Sequence, residues 1–504
     1  MFYAVIFFTF LISIFLFFGI KKPKNFPPGP KWYPIFGSAL QISQLRLKHG
    51  MLCKAIKELN NFHDANGVVG LKIGQDKVVI VYTCEAIKEM MTNEELDGRP
   101  DGIFYKSRTF NSRKGILVVD EDFWLEQRRF IVRHLKDFGF SRRNMAEMIQ
   151  NEAQHLLEDL NSMVKQQNLN KDVNGNTAIL SFQEFFPVYV LNTLWTMIAG
   201  VRYDRNHKEI MELLKMFYEL FKTIDMIGTL FSHFPFLRYI APDFSGYSNF
   251  VENHRRVYTF FRKEVENHRK TFSLNDEPRD LIDKYLQVLA LPDHKSSFSE
   301  EQLLAVCLDM FLAGSETTNK SLGFAFLHMV RDPTIQKKAQ DEIDSVIGRE
   351  RLPTWDDRVN LPYCDAIVHE AIRFFMGYTF GVPHRALVNT RLSGYNIPKN
   401  TMVIACFHGM LMDEDNFPNP TKFWPDRFIK NNKLVIPDTF APFGLGRHRC
   451  MGEVMGKQNL FLFITTLLQN YNFLPLEGKP LPDDEPVDGA TASVKSYIAM
   501  AIKR

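Results

Sequence analysis

From about residue 120 to residue 373, apolar side chains recur at three- and four-residue spacing with polar faces between them, the period of packed α-helices. A stretch that long commits about half of the 504-residue chain to helix–helix packing. Beyond Arg373 the texture changes, with recurring Pro and Gly and short strand-like runs. Near the start, LKIGQDKVVIVY at residues 71–82 reads as two paired strands joined by a turn at Gly74-Gln75-Asp76. No internal repeat or low-complexity linker interrupts residues 38–504. The expected fold is therefore mainly α with a minor β portion, in a single large domain over residues 38–504.

The first twenty residues, MFYAVIFFTFLISIFLFFGI, carry no charge and are long enough as a helix to cross a hydrocarbon layer of ~30 Å. Lys21, Lys22 and Lys24 follow, with no basic n-region and no small-residue cleavage site. Residues 1–20 are thus expected to be an uncleaved transmembrane anchor, and the basic flank places the rest of the chain on the cytosolic side. Residues 21–37, with Phe26-Pro27-Pro28-Gly29-Pro30, Pro34 and Gly37, read as a stiff, non-helical linker. In a reducing compartment the scattered Cys53, Cys84, Cys307, Cys364, Cys406 and Cys450 are expected as free thiols. The Asn319-Lys320-Ser321 sequon is expected to be inert there. A net charge of +3, from 61 basic and 58 acidic residues, is too small to imply a nucleic-acid partner.

The segment most specific for chemistry is Pro442-Phe443-Gly444-Leu445-Gly446-Arg447-His448-Arg449-Cys450-Met451-Gly452-Glu453. Its glycines permit a tight turn that presents a thiolate, with backbone N–H groups and a helix N-terminus expected to lower the thiol pKa. A buried structural cysteine or a zinc site using His448 and Cys450 remain alternatives, although no CxxC partner lies nearby. A phosphate loop would need a GKS or GKT ending, which is missing.

Other segments stand in a set order around it. Ala313-Gly314-Ser315-Glu316-Thr317-Thr318 lies within a long apolar helix that a Ser299/Gln302 capping box would start. Glycine followed by β-branched hydroxyl residues weakens a helix and predicts a local opening. Glu370-Ala371-Ile372-Arg373 places a carboxylate and a guanidinium on one helix face, before Pro425-Asp426-Arg427-Phe428. Trp124 and Arg128, four apart, point the same way from another helix.

These segments together resemble the cytochrome P450 family over residues 27 to about 475. The cysteine segment is similar to its haem-binding loop, Phe-x-x-Gly-x-Arg-x-Cys-x-Gly, except that His448 stands at the family's Arg position. An imidazole there is expected to donate a hydrogen bond to a haem propionate, with less charge than Arg. The run looks like insect members of the microsomal clan that includes drug- and hormone-oxidising enzymes. The resemblance implies heme b (iron protoporphyrin IX) ligated by Cys450. It implies Arg99, Trp124, Arg128, His384 and His448 around the propionates, and Glu316 with Thr317 delivering protons for oxygen cleavage. Glu370, Arg373 and Arg427 would form a structural triad. Substrate contacts would come from Ile103, Phe104, Met310, Ala313 and the stretch 378–382, and the aromatic segment 226–242 would dip into a bilayer or pack in the core.

The implied activity is insertion of one atom of dioxygen into a lipophilic small molecule, with electrons from an NADPH-dependent flavoprotein reductase. Arg129, Arg133 and Lys136 are candidates for its docking surface. The implied location is the endoplasmic reticulum membrane, catalytic domain facing the cytosol. Two alternatives stay open: a haem-thiolate isomerase or synthase needing no reductase, against which Glu316-Thr317 speaks, and a non-catalytic haem sensor.

Overall fold

In this computed structural model, residues 20–169 and 176–504 are described. Apart from Ile20, the expected anchor lies outside the described residues, and among those no helix is long and apolar enough to cross a membrane.

The helix Glu300–Arg331 runs 32 residues and is buried over most of its length. A helix apolar on nearly every side belongs inside, and Pro187–Ala199, Tyr247–Thr271, Pro362–Gly377 and Glu453–Asn470 pack around it. Ser299 Oγ caps its start, accepting the Gln302 N–H at 3.1 Å. The expected capping box is only half made. Gln302 turns its amide to the backbone of Gly115, donating to the carbonyl at 2.9 Å and accepting the N–H at 2.8 Å. A tertiary contact replaces the local one. The helix also stays continuous through Gly314, where an opening was expected. Ser315 and Thr317 donate their hydroxyls to the carbonyls of Phe311 and Ala313, at 2.6 and 2.9 Å, so these groups are satisfied without breaking the backbone ladder.

The minor β portion includes a four-stranded sheet in the order Val68–Ile73, Asp76–Val81, Met402–Ala405, His384–Arg385. Ile73 pairs with Asp76, so the hairpin turn is Gly74-Gln75 alone, and Asp76 already belongs to the strand. Asp76–Val81 runs parallel to Met402–Ala405, and a parallel neighbour requires a crossover; here the helical body supplies it. A second, antiparallel sheet joins Thr177–Ser181, Ile498–Lys503 and Tyr471–Leu474. Its first strand interrupts the region read as helical. Part of the proline-rich linker is docked on the body: the Gly70 N–H bonds Pro28 O at 2.7 Å, and the buried rings of Phe26 and Trp32 meet edge-on at 5.5 Å.

Glu370 and Arg373, both fully buried, lie on Pro362–Gly377. Arg373 Nε and Nη2 grip the two Glu370 oxygens at 2.7 and 2.9 Å, and Arg427 Nε reaches Oε1 at 3.1 Å. The remaining guanidinium donors hold backbone: Arg373 bonds the carbonyls of Leu411 and Pro420 at 2.8 Å each, and Arg427 those of Pro418, Asn419 and Lys422 at 2.8–3.1 Å. Trp424 N–H completes the set on Glu370 Oε1 at 2.7 Å. Residues 411–427, which lead to the cysteine loop, are thereby fixed to the helix. Glu370→Gln should lower unfolding free energy by ~3–5 kcal/mol, because it leaves two buried guanidinium groups without their counter-charge. Chemical denaturation measures this; a change below ~1 kcal/mol would contradict the bracing role.

Candidate active site

In the loop before Cys450, the Cys450 N–H donates to Phe443 O at 2.9 Å. Gly444 and Gly446 adopt φ of +73° and +68°. A Cβ at Gly446 would lie 2.1 Å from Met91 O, so only glycine lets the loop rest on the helix Cys84–Thr92. The helix Glu453–Asn470 starts immediately after Gly452. Cys450 is exposed, whereas the other five cysteines are buried. Burial nonetheless pushes its thiol pKa up, with the Gly452 N–H and the nearby Arg128 and Arg449 countering only in part. The two facts agree for a side chain in the wall of a recess, open on one side and crowded on the others. The expected lowering by backbone and helix is outweighed by desolvation. A cation at the sulfur would favour the thiolate over the thiol here.

On the central helix, Ala313 is exposed and Gly314 and Thr317 are partly so, within a stretch otherwise buried. Ala313 and Thr317, four residues apart, share one face. Another turn back on that face, the buried Asp309 accepts the N–H groups of Ile116 and Leu117 at 2.6 and 2.9 Å and lies 2.5 Å from Arg108 Nη2. The loop 115–117 is thus clipped at one end of the open stripe. Toward the other end the cysteine's helix packs against the central one, with a Cβ at Gly456 falling 4.0 Å from Thr318 Oγ1. This brings the thiol end of one helix beside the open face of the other. Glu316, turned ~100° from Thr317, is buried, with Oε2 3.4 Å from Lys320 Nζ.

The residues expected at the propionates gather on one side of the loop. Trp124 and His448 have ring centroids 4.1 Å apart, and those of His384 and His448 are 5.4 Å apart. Arg128 bonds Arg449 O at 2.7 Å. Arg99, 5% exposed, donates to the Pro383 carbonyl at 3.0 Å, yet its Nε has no partner. Burial pulls its pKa down to about 10 against the pull of Asp97 and Asp120. His384 gives its Nδ1–H to Leu96 O at 2.8 Å and His448 its Nε2–H to Asp97 O at 3.0 Å. Burial and Arg99 lower both, His448 to about 3, so both rings are neutral and neither has a second N–H for an anion. His448 spends its one N–H on the backbone, which leaves the guanidinium groups of Arg99 and Arg128 and the Trp124 indole N–H to meet an anion.

A buried cation with an unpaired donor calls for an anion. The donor set fits haem b: one thiol for iron, a small-residue helix face, and a cationic cluster for acidic edge groups. It does not fit zinc, since among the described residues the one cluster of three potential metal ligands is His268, Asp280 and Asp283, without cysteine.

A profile of the Cytochrome P450 family matches residues 27–499. The chain belongs to the cytochrome P450 family. Over 508 residues it is 56% identical to the "Probable cytochrome P450 303a1" of Drosophila melanogaster, covering 100% of both chains. It is 32% identical to the "Farnesoate epoxidase" of Bombyx mori (97% of this chain, 96% of that one) and 32% to "Cytochrome P450 2J3" of Rattus norvegicus (90% and 87%). As a cytochrome P450 it is a monooxygenase whose cofactor is haem b.

Sequence reasoning overlooked the Arg108–Asp309 clip, although a lone acid in the apolar run CLDMFLAG was a visible signal. It also overlooked Asp97 and Met91, distant in sequence, which meet the cysteine loop through their carbonyls and, for Asp97, through its carboxylate 3.7 Å from Arg447. Tyr378, expected beside substrate, lines a separate cavity of about 950 Å³ with His328 and His408.

For His448 the folded pKa lies below the unfolded one, so acidification below ~6.5 adds a proton to the unfolded chain first and stability falls toward pH ~3, by ~1.4 kcal/mol per pH unit. His448→Asn should therefore flatten the pH dependence of unfolding free energy between about pH 4 and 5.5 by roughly that slope. An unchanged slope would contradict the neutral, buried imidazole.

Proposed function

We propose that this protein is a membrane-bound haem-thiolate monooxygenase of the cytosolic face of the endoplasmic reticulum, in which Cys450 ligates the haem iron and an NADPH-dependent flavoprotein reductase supplies electrons. The observation that carries the reading is the exposed Cys450, with the cluster of Arg99, Trp124, Arg128, His384 and His448 gathered on its loop and the open Ala313–Thr317 stripe on the helix packed against its own. When bound, haem b supplies the reductive activation of dioxygen, one atom entering substrate and the other leaving as water.

The chain's own residues supply the remainder. Arg99, Arg128 and the Trp124 indole N–H would hold the propionates, Trp124 also packs on His448, and His448 and His384 tie that cluster to the backbone at 96–97. Thr317, whose hydroxyl now donates to Ala313 O, is placed to pass a proton into the open space, with Glu316 behind it as the acid. Ile103, Phe104, Met310 and Ala313 form the substrate side; Phe104 already packs against Phe231 and Phe250 at 5.9 and 4.9 Å.

For the reductase, a surface concavity of about 570 Å³ outside the cysteine loop is lined by Arg128, Arg129, Arg133, Lys136, Arg142 and Arg447, with Asp137 as its one acid. Such a field suits an acidic partner and makes association sensitive to salt. For the membrane, exposed Tyr33, Ile35, Phe36 and Leu40 follow the anchor, and exposed Leu230, Phe236, Tyr239 and Ile240 lie in segment 226–242. Phe36 and Phe234 join the two groups, their ring centroids 6.0 Å apart. Large apolar patches of this kind are sites of contact with lipid or protein. The name of the Bombyx mori relative makes farnesoate the first lipophilic substrate to test.

In vesicles with the reductase and NADPH, the holoprotein should consume oxygen and oxidise a lipophilic substrate, and Cys450→Ser should abolish this; full activity in that variant would overturn the ligand assignment. Thr317→Ala should retain haem while product formation falls by ~10² and reducing equivalents go to peroxide. Unchanged coupling would remove Thr317 from proton delivery.

A further inference from the structure

Lys320 is 3% exposed in the middle of the central helix, an unusual place for an ammonium group. Its Nζ donates to Thr491 Oγ1 at 2.7 Å, and lies 3.4 Å from Thr491 O and 3.4 Å from Glu316 Oε2. It also sits 5.1 Å from the Phe221 ring centroid and 5.7 Å from that of Tyr218, close enough for attraction to both ring faces. Thr491 is itself fixed: Ala490 N–H bonds Phe221 O at 2.8 Å and Ala492 N–H bonds Thr379 Oγ1 at 3.1 Å. Glu316 Oε2, in contrast, makes no hydrogen bond of good geometry, and its ion pair with Lys320 Nζ is what holds that oxygen. The other titratable groups facing the pair are Tyr218 and Lys222 of the helix Lys208–Thr223, the latter paired with the exposed Glu219, while the loop 489–493 offers only hydroxyls. Burial is the largest influence on both partners, raising Glu316 and lowering Lys320.

We propose that Lys320 is a positioning residue for Glu316: anchored on Thr491, its ammonium draws the carboxylate away from the Ala313–Thr317 stripe and sets how readily that acid holds the proton it passes to Thr317. This rests on the reading of that stripe as the oxygen side of the haem. Without the ammonium, Glu316 is a lone buried acid and keeps its proton to higher pH.

Infrared difference spectra of the holoprotein across pH test this through the C=O band of a protonated carboxyl, assigned by its loss in Glu316→Gln. In Lys320→Met the band should persist to at least ~1 pH unit above its wild-type limit, and the alkaline limb of product formed per NADPH should move up with it. Lys320→Arg should match wild type in both. A band that titrates in Lys320→Met where it does in wild type would overturn the proposal. Should Lys320→Met fail to take up haem, Glu316→Asp, which withdraws the carboxylate from Nζ, must show the same upward shift. Loss of the thiolate-type haem spectrum in wild type would count against the broader reading; an intact spectrum with an unshifted titration counts against this inference alone.

Discussion

The structure depends on one buried carboxylate. Glu370 accepts from Arg373, Arg427 and the Trp424 N–H, and the two guanidinium groups spend their other donors on the carbonyls of Leu411, Pro418, Asn419, Pro420 and Lys422. A segment poor in regular secondary structure has no ladder of its own to satisfy its carbonyls. Here two cations on one anion do it, and the desolvation cost of three charges is offset only because nearly every donor is used. Residues 411–427 lead directly to the cysteine loop, so the position of Cys450 follows from that network together with the contact of Gly446 on Met91 O.

Around the cysteine, burial and openness are divided unevenly. Arg99 is desolvated with an unpaired Nε, two histidines are held neutral, and the thiol is pushed up, while Ala313 and Cys450 stay open. The desolvated Arg99 with its unpaired Nε is unfavourable as it stands and becomes favourable beside an acidic group, and the open Cys450 becomes a thiolate ligand beside a metal. The cluster is therefore better described as half of a binding interaction than as a packed core.

Much of this was legible in the chain. Helical periodicity located the central helix, and the spacing of Glu370 to Arg373 with a later Arg427 identified partners that do meet. Beyond the Trp124–Arg128 spacing, the gathering of Arg99, His384 and His448 near Cys450 came from family order rather than from any local pattern, since Arg99 and Cys450 are 351 positions apart. What the sequence did not disclose were competitions settled by tertiary geometry. Gln302 prefers Gly115 to its own cap, the Ser315 and Thr317 hydroxyls bond back along the helix where an opening was expected, and desolvation outweighs the helix terminus at the thiol. The proline-rich segment looked like a spacer because proline disfavours helix, yet the same extended backbone docks on Gly70.

The central claim is that Cys450 sulfur is the iron ligand, and the reduced carbon monoxide difference spectrum of the purified, detergent-solubilised protein tests it most directly. The account predicts the long-wavelength Soret band of a thiolate-ligated haem, lost in Cys450→Ser. A histidine-type band from undamaged protein, or no bound haem, would contradict it.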